Sequence, residues 1–231
     1  MERAGSATVV ASEQQHATGA RRTGSAARLA GTVGVIANVI LLGYFATYAA
    51  GSAAAGARSL LGPASDLTGS LFGALLIPVA VAVGRELPQT IAVRAREILG
   101  IVAMAALAAG GVLLRLGLAS FEVATALSII GTLGVAAWVA LTARGLGSTE
   151  TVSMRTSRLG QVLGGGELAG VAVAAAGLAL PSGSAAQIAV LAVGLVPAFI
   201  CWFAVPVWFL LLAEDVRHAN RSGGRKGTEA R

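Results

Sequence analysis

The chain has 231 residues, of which 55% are hydrophobic and 12% charged, and its formal net charge is +6. Soluble domains carry about twice that share of charge, so a mean hydropathy of +0.77 points to several membrane spans rather than a large soluble core. The single cysteine, Cys201, excludes an internal disulfide and a cysteine-rich metal site, and the basic residues form no aromatic-interleaved patch of the kind that binds nucleic acid.

In chain order, residues 1–27 read as a polar, basic, disordered tail and residues 28–213 as the membrane domain. Six apolar runs each reach the roughly 20 residues that cross a bilayer as helix: 29–50, 67–84, 98–118, 122–143, 160–181 and 187–213. None alternates polar and apolar residues as a barrel wall must, so the expected fold is all-α. Residues 214–231 read as a second disordered basic tail. A rival reading of residues 21–57 as a cleavable signal peptide, ending in AAGSAAAGA, fits poorly. Its apolar run of about 20 residues exceeds the usual 7–15, and a retained first span is expected.

Fifteen of the 17 Lys and Arg residues fall in the two tails and in the second and fourth connections. Only Arg58 lies in a connection on the other side, and Arg115 lies in the third span. The positive-inside rule then places both termini in the cytoplasm. Small residues at four-residue spacing, Gly69/Gly73, Gly160/Gly164 and Gly166/Gly170, predict a compact bundle with close helix contacts. Pro78 in the second span and Pro197 and Pro206 in the sixth free the carbonyls of Ala74, Val193 and Trp202, which predicts bends.

Charges inside a membrane are costly, so each is a candidate for function. Asp66 reads as an N-cap of the second span, with Arg115 and Glu122 close by at the outer interface; the three are expected to form a salt-bridge cluster. Glu167, in LGGGELAG, lies nine residues or about 13 Å inward from Arg158, near the middle of the bilayer. A carboxyl there is expected to be neutral, able to donate a hydrogen bond or exchange a proton. The glycines before it predict either a tight helix contact or a locally unwound binding segment. Asn38 in the first span is at nearly the same depth, and Thr132, Cys201 and Trp202 are near it. Glu167 is therefore expected to face Asn38 or Trp202 across the bundle, with a hydrogen bond between them.

The absences narrow the chemistry. His16 and His218 lie in the tails and the sole lysine is Lys226, which argues against haem ligation, a Ser–His protease or a retinal Schiff base within the bilayer. No phosphate-binding GxxxxGK[ST] loop occurs, and no cofactor is expected.

The segment starts RLAG and SRLG, the connection GRELPQTIAVRAREILG and the closing VPVWFLLLAEDV resemble a group of bacterial, often actinobacterial, six-helix integral membrane proteins classed as a domain of unknown function. The likeness spans roughly residues 27–215 and implies an inner-membrane six-helix bundle, with no active site to carry over. Three functions remain in view. One is a small carrier or proton-linked permease centred on Glu167, working as a homodimer or beside another membrane subunit. Another is a membrane enzyme using Glu167 as general acid on an isoprenoid or other lipid. The last is a scaffolding subunit whose polar residues only fix packing.

Overall fold

A computed structural model describes residues 3–149 and 151–229, with side chains described for 22–51, 54–149 and 151–219. All the regular structure among these residues is helical. The helices are α1 (Arg3–Ala49), α2 (Ala55–Glu86), α3 (Ile91–Arg115), α4 (Phe121–Ser148), α5 (Met154–Gly177) and α6 (Ala185–Glu229). A short 3-10 turn, Gly51–Ala54, links the first two. Each helix contains a stretch long and apolar enough to cross a membrane, so the chain is a multi-pass membrane protein with six spans.

The helices start where hydroxyl side chains can satisfy their free amides. Thr90, Ser120, Ser153 and Ser184 accept from the amides of Val93, Val123, Thr156 and Gln187 at 3.2, 3.4, 3.3 and 3.1 Å. They stop where the chain can turn. Pro88 follows the extended C-cap Leu87 of α2, and Gly117 after α3 has a φ of 68°, a left-handed conformation that glycine adopts without strain.

Each helix packs against its neighbours in sequence, and α6 closes back on α1 to form a ring. Arginines crowd one end of it. There Gly24 lies against Ala213, Gly84 against Glu97 and Gly145 against Arg96, while the Ser153 amide donates to Asp215 Oδ2 at 2.8 Å. The half of the ring nearer this end is filled solid. Trp138, Trp208, Phe209, Leu76 and Met104 are all within 2% of full burial. Trp138 stacks on Phe209 with centroids 6.3 Å apart, and Trp208 meets Phe209 edge-on at 4.9 Å. The Trp208 indole donates to the Thr156 carbonyl at 2.9 Å, tying α6 to α5.

Several expectations need correction. The helices outrun the apolar runs at the arginine-rich end, because arginine-bearing turns carry no backbone penalty there and still have neighbours to pack on. Thus Thr23 and Ala27, expected in a disordered tail, are buried in α1, and Val216 is buried in α6. The tail readings for 1–21 and 220–231 lie outside the residues whose side chains are described. Asp66 is no N-cap: α2 begins at Ala55, about three turns earlier, and runs unbroken through Pro63 and Pro78. Of the pair Gly69/Gly73, only Gly73 meets a neighbouring helix, at Met104–Ala108 of α3. In α6, Pro206 is a docking point, seated where Gly31 and Gly34 of α1 leave room for it.

Candidate functional site

The other half of the ring is hollow. A half-open cavity of about 480 Å³ is lined by residues of all six helices, from Phe121 at the first turn of α4 to Glu167 in mid-bundle. A smaller cavity of about 200 Å³, against α1 and α2, shares Leu41, Asp66, Gly111, Ser128, Thr132 and Trp202 with it, so the two form one chamber. Its inner end stops at the aromatic cluster, where Trp202 meets Phe72 edge-on at 6.1 Å and Phe72 meets Phe209 at 6.3 Å.

The glycines of LGGGELAG explain how Glu167 comes to face this chamber. α5 is an uninterrupted helix here, so the tight-contact reading holds and the unwound one does not. A Cβ on Gly164 would come within 2.8 Å of the Ala140 amide nitrogen of α4, and one on Gly166 within 2.8 Å of Cys201 Sγ of α6. Gly170 lies equally close to Ala198 of α6, whereas Gly165 has open space around it. Both neighbours therefore approach the α5 backbone on either side of Glu167, and the carboxyl between the two seams is directed inward.

Glu167 is 2% exposed, and neither carboxyl oxygen has a hydrogen-bond partner among the described residues. That overturns the expected bond to Asn38 or Trp202. Asn38 does border the chamber, but its amide donates to the Phe203 carbonyl at 3.1 Å, one residue beyond the carbonyl that Pro206 leaves free. Trp202 and Thr132 share the cavity wall with Glu167 without bonding to it. Buried polar groups are nearly always paired, and an unpaired one costs about 1–3 kcal/mol, so the orphan carboxyl beside the cavity makes Glu167 the leading candidate residue of the site.

The charged cluster at the outer end is smaller than expected. Asp66 lines the cavity and receives two hydrogen bonds from Arg115, that from Nε at 2.8 Å. Glu122 is exposed in the first turn of α4 and joins no ion pair among the described residues, because it lies outside the chamber wall. Arg58 also stays apart from the site. It closes the end of α1 by donating to the carbonyls of Thr47 and Gly51 at 2.7 and 3.1 Å, with its guanidinium 4.2 Å from the Tyr48 ring centroid.

Sequence reasoning missed part of the wall. Phe45, Phe121 and Phe199 line the cavity, and the Ser70 hydroxyl, buried and unpartnered, lines its smaller arm. Ser70 could have been noticed as a lone hydroxyl in the apolar run GSLFG. The phenylalanines could not, since nothing in a lipid-compatible stretch separates a ring facing lipid from one facing a cavity. A third orphan, the Thr142 hydroxyl, is buried in α4, which lends it no residue to the cavity beyond Leu133.

Comparison with known proteins finds no match: no family model, no curated protein and no solved structure is significantly similar to this chain.

Proposed function

We propose that the protein is a small proton-linked carrier of the bacterial cytoplasmic membrane, with both ends of the chain in the cytoplasm and Glu167 as its protonatable centre. The orientation is supported by the fifteen basic residues that the sequence puts in the two tails and the second and fourth connections. The single observation that carries the activity is the unpartnered, buried Glu167 carboxyl beside a half-open chamber whose inner end is closed by the aromatic cluster.

A carrier needs a mid-membrane site open to one side and sealed from the other, and a group whose charge changes as cargo and proton exchange. The chamber supplies the first and Glu167 the second. The groups that would share its field are few. Cys201 is beside the α5–α6 seam, Asp66 and its partner Arg115 are toward the mouth, and the polar groups that α1 and α4 contribute are the neutral Asn38, Thr125, Ser128 and Thr132. A packing role for Glu167 fits less well, because a residue that fixes helix register does so through hydrogen bonds that Glu167 lacks. The apolar wall also suits an enzyme acting on a lipid. However, that chemistry would rest on one carboxyl, since Asp66 is held by Arg115.

The test uses the purified full chain in liposomes enclosing a pH-sensitive dye. Three bulky apolar probes are added outside in turn: tetraphenylphosphonium, tetraphenylborate and neutral triphenylphosphine oxide. At least one is expected to drive proton movement above that of protein-free liposomes, and Glu167→Gln should slow it at least about tenfold, as expected when a buried charge loses its role. Equal rates for the two proteins with all three probes would refute the carrier.

A further inference from the structure

We propose that the chamber binds an organic cation with a bulky apolar body, such as a lipophilic quaternary ammonium, phosphonium or protonated amine. This rests on the carrier reading for its transport consequence but on separate observations for its chemistry. The volume, about 480 Å³, falls within the range of about 300–1,000 Å³ that holds drug-sized molecules. Its wall is dominated by carbon, and four aromatic side chains, Phe45, Phe121, Phe199 and Trp202, come from three helices around it. Aromatic faces carry negative quadrupole charge and attract cations, most of all in water-poor surroundings.

Charge decides between a cation and other apolar ligands. Two carboxylates border the cavity and one arginine stands near it. Arg115 and Asp66 neutralise each other at the mouth, and the site is left with Glu167, whose two oxygens have no other partner. An anion would be repelled whenever the carboxyl ionises, and a neutral apolar molecule without a hydrogen-bond donor would leave its oxygens as unsatisfied as they are now. A cation satisfies them once the side chain turns its carboxyl, now just beneath the cavity wall, toward the ligand. The exchange also balances: the neutral acid releases its proton as the cation arrives, leaving a carboxylate–cation pair with unchanged net charge. The proton is recovered when the cation leaves.

The test is equilibrium binding of tetraphenylphosphonium to the detergent-purified full chain, read by dialysis of the labelled probe, with proton release followed in weak buffer. Saturable binding with release of a proton is expected. Glu167→Gln should weaken it at least about tenfold, Glu167→Asp should retain it, and Trp202→Leu should weaken it about two- to fivefold. Size-exclusion profiles and thermal unfolding establish that each variant is folded. Binding that is equal in wild type and Glu167→Gln overturns the cation site. So does preferential, saturable binding of tetraphenylborate or triphenylphosphine oxide, although proton flux with either of those would leave the carrier standing. Conversely, Glu167-dependent cation binding without proton flux in liposomes upholds the site and removes the carrier.

Discussion

Replacing Glu167 with leucine is expected to make the protein more stable while ending its proton exchange. The carboxyl is 2% exposed with both oxygens unpartnered, so the native bundle carries a desolvation cost that no hydrogen bond offsets. Leucine has a similar volume and no polar atom, and removing an unsatisfied buried group of this kind should raise stability by about 1–3 kcal/mol. The readout is the unfolding midpoint in mixed micelles together with proton flux in liposomes. The stability gain follows from the missing hydrogen bonds whatever the residue's role, so the flux separates the two readings: a residue retained only for packing predicts the gain with no functional consequence. Natural sites held at the expense of stability commonly behave in this way.

Trp208→Ala is expected to do the opposite, destabilising the bundle by about 3–5 kcal/mol, as deletion of a large buried aromatic typically does. Trp208 is fully buried at the junction of α4, α5 and α6. It meets Trp138 edge-on at 6.5 Å, lies against Phe209, and bonds to the Thr156 carbonyl. Cutting it back to alanine would lose these contacts, leave that carbonyl short of a donor, and open a void in the half of the ring that seals the chamber. Thermal unfolding in micelles checks the loss of stability. Trp208→Phe should retain most of the packing and lose chiefly the hydrogen bond, costing about 0.5–1.5 kcal/mol. If Trp208→Ala unfolds within about 1 kcal/mol of wild type, the solid half of the ring is not what holds the bundle together.

The six helices were legible because length and apolar composition alone identify spans, and the small residues of α5 announced tight seams that the structure contains. Helix ends were less so. Thr23, Ala27 and Val216 belong to turns whose neighbours in sequence are polar, and only the closure of α6 on α1 reveals that those turns have something to pack against. Asp66 misled for a related reason. A serine–aspartate pair before an apolar run looks like a cap, but α2 had already begun at Ala55, and the aspartate serves instead as partner to Arg115.

Glu167 stood out as the one acid within the fifth apolar run, and its inward direction follows from which glycines meet α4 and which meet α6. Its lack of a partner could not be read in advance. Asn38 is suitably placed by depth, yet its amide is committed to the Phe203 carbonyl, in the stretch of α6 just ahead of Pro206. That commitment depends on how α1 rotates about its own axis, which the Gly31 and Gly34 seats against Pro206 determine.

The central claim is that Glu167 is a protonatable carboxyl reached through the chamber, and covalent labelling tests it most directly. Dicyclohexylcarbodiimide is an apolar reagent that adds to protonated carboxyls and leaves an acylurea locatable by peptide mass spectrometry. Applied to the full chain in liposomes, it should modify Glu167, more slowly when tetraphenylphosphonium fills the cavity, and the Glu167→Gln protein should carry no adduct on that peptide. Labelling confined to Asp66 or the exposed Glu122, with Glu167 unmodified, would contradict the account.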